Sequence, residues 1–449
     1  MPDEPKPNEP SHSRRGGRRP YSRVDHRARA HEEAHAEGSD PTGSALAAET
    51  SVAHPLVPVG HAELIVTNEQ LHALLAHLRE AGSFAYDSEF IGELTYHPKL
   101  CLVQVASAKM VALIDPLAGI ELRPFWEILC DPSVEKIVHA GQQDIEPVVR
   151  HLGQGPVNLF DTQIAAGLAG LPYPVSLSKL VNELAGAKLG KGLTFTHWDQ
   201  RPLSGMQLRY AADDVRYLPR VRAELGQRLM ALGHSEWARE ECAAQCDPSL
   251  YCFNPDAQYL RVRGAGSLQP RNMAVLRELT IWRDGAARKH DVPPRSFLRD
   301  EVLIDLARSP VKKVEQLAKV RGLPRPIEAA DGPAIVDATA RALDLPSPQL
   351  PPARDFEPLP ADKFRSDALC NLAQCLCAAR GIDPALVGSR QDFSEFYHLL
   401  RAGASSDLVK ASKLLTGWRR EAVGQPLLDA VNGDRTFRFK WAGDTLRFE

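Results

Sequence analysis

The chain has 449 residues, 43% hydrophobic and 25% charged, which is material for roughly two to four domains of ordinary globular composition. Its formal net charge of −3 excludes a polycation that neutralises nucleic acid with its whole surface, so any such site must rest on local basic patches. No apolar run approaches the ~20 residues of a membrane span, the N-terminus has no signal-like apolar core, and eight cysteines form no disulfide framework.

In chain order, residues 1–55 are rich in Pro, Gly, Ser, Arg, His and Glu and are expected to form a disordered basic tail, because so little apolar surface cannot offset chain entropy. Within it, RRGGRRPYSR (Arg14–Arg23) is able to touch RNA or simply to stay solvated. From about 60 to 225 the pattern changes. LHALLAHLREAG (Leu71–Gly82) has helical spacing and a glycine stop. SFAYDSEF, KLCLVQVAS and KMVALIDP then read as successive strands, and KIVHAG (Lys136–Gly141) as another, followed by a helix at Gln143–Gly153. VNLFDTQIAAGLAG passes from strand to helix at Asp161, a natural N-cap. Met206–Leu225 reads as one long amphipathic helix. A strand meander followed by strand–helix alternation predicts an α/β domain with a mixed sheet.

Residues 226–267 read as a connector, 268–345 as a helical block, 346–362 as a Pro-rich linker, 363–432 as a second helical block and 433–449 as a C-terminal extension. The two blocks are similar in length and grain, which predicts a repeated small module. Cys242, Cys246 and Cys252, and likewise Cys370, Cys375 and Cys377, lack the paired C-x2-C spacing of structural zinc sites and read as incidental thiols.

The chemistry concentrates in carboxylates. In FAYDSEF, strand alternation puts Asp87 and Glu89 on one face, where they repel each other and resist burial. Asp144 stands at a helix start just after a strand, and Asp213 and Asp214 lie in a later helix. Carboxylates converging on one end of a sheet need compensating charge, and hard oxygen ligands suit Mg²⁺ or Mn²⁺. Two such ions activate water and stabilise an in-line phosphoryl displacement. Tyr210 precedes Asp214 by one helical turn, so its phenol faces the same site and is placed to orient a water.

These motifs resemble the ribonuclease D family of DEDD exonucleases with the tyrosine form of the third motif. The resemblance lies in FAYDSEFIGELTYHPKLCLVQVA with ALIDPL, KIVHAGQQDIEPV and YAADDVRYL, with LFDTQIAAGLAG and KGLTFTHWDQRPLS between, and covers about 60–225. It implies a ribonuclease-H-like domain with a mixed five-stranded sheet flanked by helices. The helical blocks resemble the HRDC modules that follow this domain in the family, the first in LRELTIWRDGAARKHDVPPRSFLRDEVLIDLARSPVKKVEQLAKVRGLP and the second, more weakly, in KLLTGWRREAVGQPLLDAVNG, which implies two all-α HRDC-like domains. The resemblance of the nuclease motifs implies that Asp87, Glu89, Asp144 and Asp214 hold two divalent ions, that Asp87 touches both, and that Tyr210 orients the attacking water. The spacing selects Asp214 over Asp213, which points about 100° away on a helix. Asp161 reads as a cap and His139 as a structural histidine. Thr194 and His197 stand where the family often has Ser and Asp, while Trp198, Arg201 and Pro202 are retained.

The implied activity is 3′-5′ exoribonuclease action releasing 5′-mononucleotides, in tRNA 3′ maturation, on RNA with a single-stranded 3′ end. No membrane or obligate protein partner is expected, and the location is cytoplasmic. A DNA exonuclease and a silent RNA-binding scaffold are the alternatives. Phe90 and Tyr96 are candidates to stack on bases, and Arg283, Arg288, Lys289, Lys312, Lys313 and Arg321 to meet phosphates.

Overall fold

The computed structural model describes residues 53–92, 94–190, 192, 196–351, 360–401, 409–443 and 445–448. The expected tail, save its last three residues, and Thr194 lie outside them. The first domain is a mixed six-stranded sheet in the order β1-β4-β3-β2-β5-β6. Its elements in chain order are β1 (Glu63–Ile65), α1 (Asn68–Ala81), β2 (Ser83–Ile91), β3 (Lys99–Ala106), β4 (Val111–Ile114), α2 (Arg123–Leu129), β5 (Glu135–Val138), α3 (Gln142–Leu152), β6 (Leu159–Asp161), α4 (Thr162–Leu168), α5 (Leu177–Ala185), α6 (Gly205–Arg216), α7 (Leu218–Leu232) and α8 (Ser235–Ala244). β2, β3 and β4 form the antiparallel meander, and β5 and β6 extend it in parallel beyond β2.

The five strands read from sequence are all present. The sixth, β1, runs parallel to β4 with Ile65 opposite Ile114, and its three residues are too few to show alternation. The long helix expected over Met206–Leu225 is instead two helices meeting at Tyr217. Pro219 explains the break: it has no N–H to donate, and so it sits in the first turn of α7.

The sheet is covered on both faces. Phe84 and Tyr86 of β2 pack with Leu71, Leu75 and Leu78 of α1, Phe125 of α2, and Ile145 and Val148 of α3. On the other face Ala85, Ala106 and Ile137 meet Ala212 and Val215 of α6. β2, the carboxylate strand, therefore lies inside the sheet between two layers of helix.

The first helical block comprises α9 (Pro270–Lys289), α10 (Asp300–Arg308) and α11 (Arg325–Leu343) around a core of its own that includes Leu276, Leu279, Leu303, Leu306 and Ile335. The second holds α12 (Pro360–Arg380), α13 (Arg390–Arg401) and a helical run from Gly417 to Asn432. Its Leu376, Phe396, Trp418 and Val423 share one core with Leu180, Val181 and Leu225 of the first domain. The Arg419 guanidinium is bidentate on Glu241 at 2.6 and 2.7 Å, which fixes this block to α8. Two strands, β7 (Phe439–Ala442) and β8 (Thr445–Phe448), close the chain as an antiparallel hairpin. Among the described residues no helix is long and apolar enough to cross a membrane.

Arg283 does not stand where a phosphate contact needs it. It is only 5% exposed, and it donates to Asp300 at 2.7 Å and to the Leu298 carbonyl at 3.0 Å. Its charge is spent inside the module. Replacing one partner of a buried pair strands the other. Arg283→Ala is therefore expected to cost about 3 kcal/mol in urea unfolding, softened by Arg295, which also reaches Asp300. RNA affinity of the folded protein should stay unchanged in a binding titration.

Candidate active site

Asp87 and Glu89 lie near the end of β2, paired with Gln104 and Leu102 of β3. The pairing then skips Cys101, so the ladder bends just beyond Glu89. α6 crosses this face and brings Asp214. Carboxylate oxygens of Asp87, Glu89 and Asp214 all lie within 4.8 Å of one another. Asp144 arrives from the opposite face, in the first turn of α3, and is 7% exposed. Ser88 points to that face by strand alternation, and its hydroxyl donates to Asp144 Oδ1. Asp144 is thus outside the tight trio, yet near enough for the Asp87 charge to act on it.

Electrostatics shows what the site lacks. Burial pushes the Asp87 carboxyl up to about 6. Glu89, Asp144 and Asp214 are also raised well above the carboxylate range, first by burial and then by the charge of Asp87. The Tyr210 phenol is raised as well, by burial and then by Asp214, Glu89 and Asp87. Among the described residues no lysine or arginine pairs with any of the four acids. Four hard oxygen donors groups without a counter-charge fit a hard divalent cation.

Supporting residues hold this arrangement. Tyr210 is hydrogen-bonded to Asp214 one turn on, and its ring lies 6.2 Å from that of buried Trp198. Gln104 Nε2 reaches Glu89 Oε1 at 3.5 Å. Asp161 caps α4 and accepts from the Ala140 and Gly141 amides at 3.0 and 3.2 Å, fixing the turn that launches α3. That turn tolerates no side chain at Gly141, where a Cβ would lie 2.6 Å from Val138 Cγ2. His139 is structural: Nδ1 is 2.9 Å from Thr162 Oγ1 and Nε2 is 3.0 Å from the Val175 carbonyl. Asp213 turns away and pairs with Arg216 at 3.1 Å. Arg201 is bidentate on buried Asp115 and also donates to the Cys101 carbonyl at 2.7 Å, tying the loop before α6 to β3 and to the segment after β4. Sequence reading missed Ser88, Gln104 and Asp115. Alternation shows that Ser88 faces away from Asp87, but no local signal names its partner.

The residues expected to meet RNA divide. The Tyr96 hydroxyl donates to Asp284 at 2.7 Å and its amide donates to Asp291 at 3.1 Å, while Arg288 lies 4.8 Å over its ring. Tyr96 and Arg288 therefore join the β2–β3 loop to the first helical block. The next residue, His97, contacts Glu146 of α3 at 3.1 Å. Phe90 is partly buried, whereas Lys289, Lys312, Lys313 and Arg321 stand exposed.

Fold and acidic site together define a 3′-5′ exonuclease. A family described as 3′-5′ exonuclease matches residues 62–230, and the HRDC domain family matches 272–339. Ribonuclease D of Gluconacetobacter diazotrophicus is 36% identical over 374 residues, covering 82% of this chain and 93% of the relative. Ribonuclease D of Bartonella henselae is 31% identical, covering 83% and 90%. The crystal structure of Escherichia coli RNase D, described as an exoribonuclease involved in structured RNA processing, matches with a TM-score of 0.73 at 28% identity, over 84% of this chain and all of that one. The chain belongs to the ribonuclease D family. It is a 3′-5′ exoribonuclease on a ribonuclease-H-like domain.

The raised carboxyls give a signed expectation. Asp87 binds its proton more tightly in the metal-free fold than in the unfolded chain. The stability this confers is fully present below its ordinary pKa and is lost as pH rises through about 6. In thermal scans of metal-free protein, Asp87→Asn should therefore raise Tm by a few degrees at about pH 8 and have no such effect near pH 4. Mg²⁺ should raise the wild-type Tm under the first condition and not under the second.

Proposed function

We propose that Asp87, Glu89, Asp144 and Asp214 hold two divalent cations, Mg²⁺ or Mn²⁺, and that the enzyme releases 5′-mononucleotides singly from RNA 3′ ends. The observation that carries this reading is the trio of carboxylates within 4.8 Å, unpaired with any described cation, beside a fourth in electrostatic reach. When bound, the cations would activate water and offset the charge on the phosphoryl and leaving oxygens.

The chain's own groups divide the remaining work. Asp87 lies centrally: its charge acts on Glu89, Asp144, Asp214 and Tyr210. Ser88 keeps one oxygen of Asp144 engaged and so fixes its orientation. Tyr210 stays protonated, because burial and three carboxylates all oppose phenolate formation. It therefore orients water by hydrogen bonding and does not serve as a base at neutral pH. The helix break at Tyr217 lets α6 angle Tyr210 and Asp214 onto β2 without the rest of the chain following.

The substrate we favour is structured RNA with an unpaired 3′ end, tRNA precursors above all, processed in the cytoplasm. The relative's described role in structured RNA processing supports this choice. We read the second helical block as HRDC-like also, on its similar length and helical grain. Lys289, Lys312, Lys313 and Arg321 are exposed cations of the first block available to phosphate.

The test is a time course on 5′-labelled RNA with a single-stranded 3′ tail, in Mg²⁺, Mn²⁺ or EDTA, beside matched DNA. A metal-dependent ladder shortening from the 3′ end of RNA is expected. Asp87→Asn should abolish the ladder and keep RNA binding. Tyr210→Phe should lower kcat by about 100-fold with little change in KM. Asp213→Asn should behave as wild type. A fully active Asp87→Asn enzyme would remove the assigned site.

A further inference from the structure

Residues 101–106 of β3 are all buried, and Gln104, at 0% exposed, is the polar exception in an otherwise apolar run. The register places it directly opposite Asp87 of β2 on one side and Leu113 of β4 on the other. It therefore lies on the face that α6 covers, beside Asp87 and on the diagonal to Glu89, a separation that a long side chain spans. Its Nε2 reaches Glu89 Oε1 at 3.5 Å. Its Oε1 is buried and meets no donor among the described residues.

As packing alone, such a residue is a poor choice. Leu102 and Ala106 share its face and Leu113 stands opposite, so an apolar side chain would fill the space without stranding an acceptor. The acids give a reason for an amide. A carboxamide carries no charge, so it donates to Glu89 without neutralising it. A lysine or arginine at the same place would stand in for a cation. With Glu89 ionised, only the NH2 end of the amide can face it. Oε1 is then left one amide width away as an acceptor. The contact to Glu89 is long for a hydrogen bond, and such bonds at reacting centres tighten as the bound complex forms.

We propose that Gln104 is a positioning residue for the exoribonuclease reaction: Nε2 sets the orientation of Glu89, and Oε1 accepts a hydrogen bond from a water ligand of the bound cation. It acts through these two groups and not on the scissile phosphate. The proposal rests on the two-cation reading given above.

The test uses the full-length chain carrying Gln104→Leu or Gln104→Met, both apolar replacements of similar volume. In metal-free protein Tm should hold or rise, because the stranded acceptor is gone. In Mn²⁺ titrations followed by electron paramagnetic resonance, one of the two ions should bind about tenfold more weakly than in the wild type. On 5′-labelled single-stranded RNA in saturating Mg²⁺, kcat should fall about tenfold while KM for RNA stays unchanged. A side chain that merely packs would move neither quantity in a variant that keeps its Tm. A wild-type isotherm or a wild-type kcat in a folded variant overturns the proposal. Loss of the fold in both variants also overturns it, by making Gln104 a support of the sheet alone. A wild-type protein that binds no Mn²⁺ would instead count against the two-cation reading.

Discussion

Burial of four carboxylates at one end of a sheet, compounded by their mutual repulsion, governs this molecule. Asp87 and Glu89 come from a strand inside the sheet, Asp214 from the helix on one face and Asp144 from the helix on the other. None has a counter-charge among the described residues, and all four titrate above the ordinary range. Such a site opposes folding on its own. The frame that holds it is correspondingly firm: helices cover both faces of β2, and Phe84, Tyr86, Leu71, Leu75, Leu78 and Phe125 are almost fully buried behind it. The supporting hydrogen bonds serve the same end. Ser88 orients Asp144, Asp161 fixes the turn before α3, and Arg201 ties β3 to the loop that leads into α6.

The helical blocks are built around this frame in different ways. The first keeps its own core and meets the nuclease loop after β2 through Tyr96, Asp284, Arg288 and Asp291. That loop also touches α3 through His97 and Glu146, so the contact with the module lies one residue from a link to the helix that carries Asp144. The second block merges its core with α5 and α7, and Arg419 on Glu241 secures the seam. A repeat in sequence grain is therefore not a repeat in packing: one block is a satellite and the other extends the nuclease flank.

What the sequence disclosed follows the range of the interaction. Asp87 and Glu89, or Tyr210 and Asp214, are related by strand or helix geometry within a few residues, so spacing alone places each pair on one face. Asp161 was legible for the same reason, as a cap at a strand–helix junction. Contacts between distant segments left no local trace. Nothing near Tyr96 announces Asp284, and nothing near Arg283 says that Asp300 consumes its charge. Strand β1 hid in three residues, and the break at Tyr217 had a signal in Pro219 that the continuous apolar stripe obscured. The basic residues were the least legible, because exposure and pairing are decided by tertiary packing and not by type.

The most direct measurement is a titration of metal-free protein with Mn²⁺ at about pH 8, following the free ion by electron paramagnetic resonance. The carboxylate account predicts saturable binding of two ions per chain. It also predicts that Asp87→Asn loses the tight binding while keeping the native circular dichroism spectrum. Absence of saturable binding in the wild type, or an unaltered isotherm in Asp87→Asn, would contradict the claim that cations resolve the repulsion at this site.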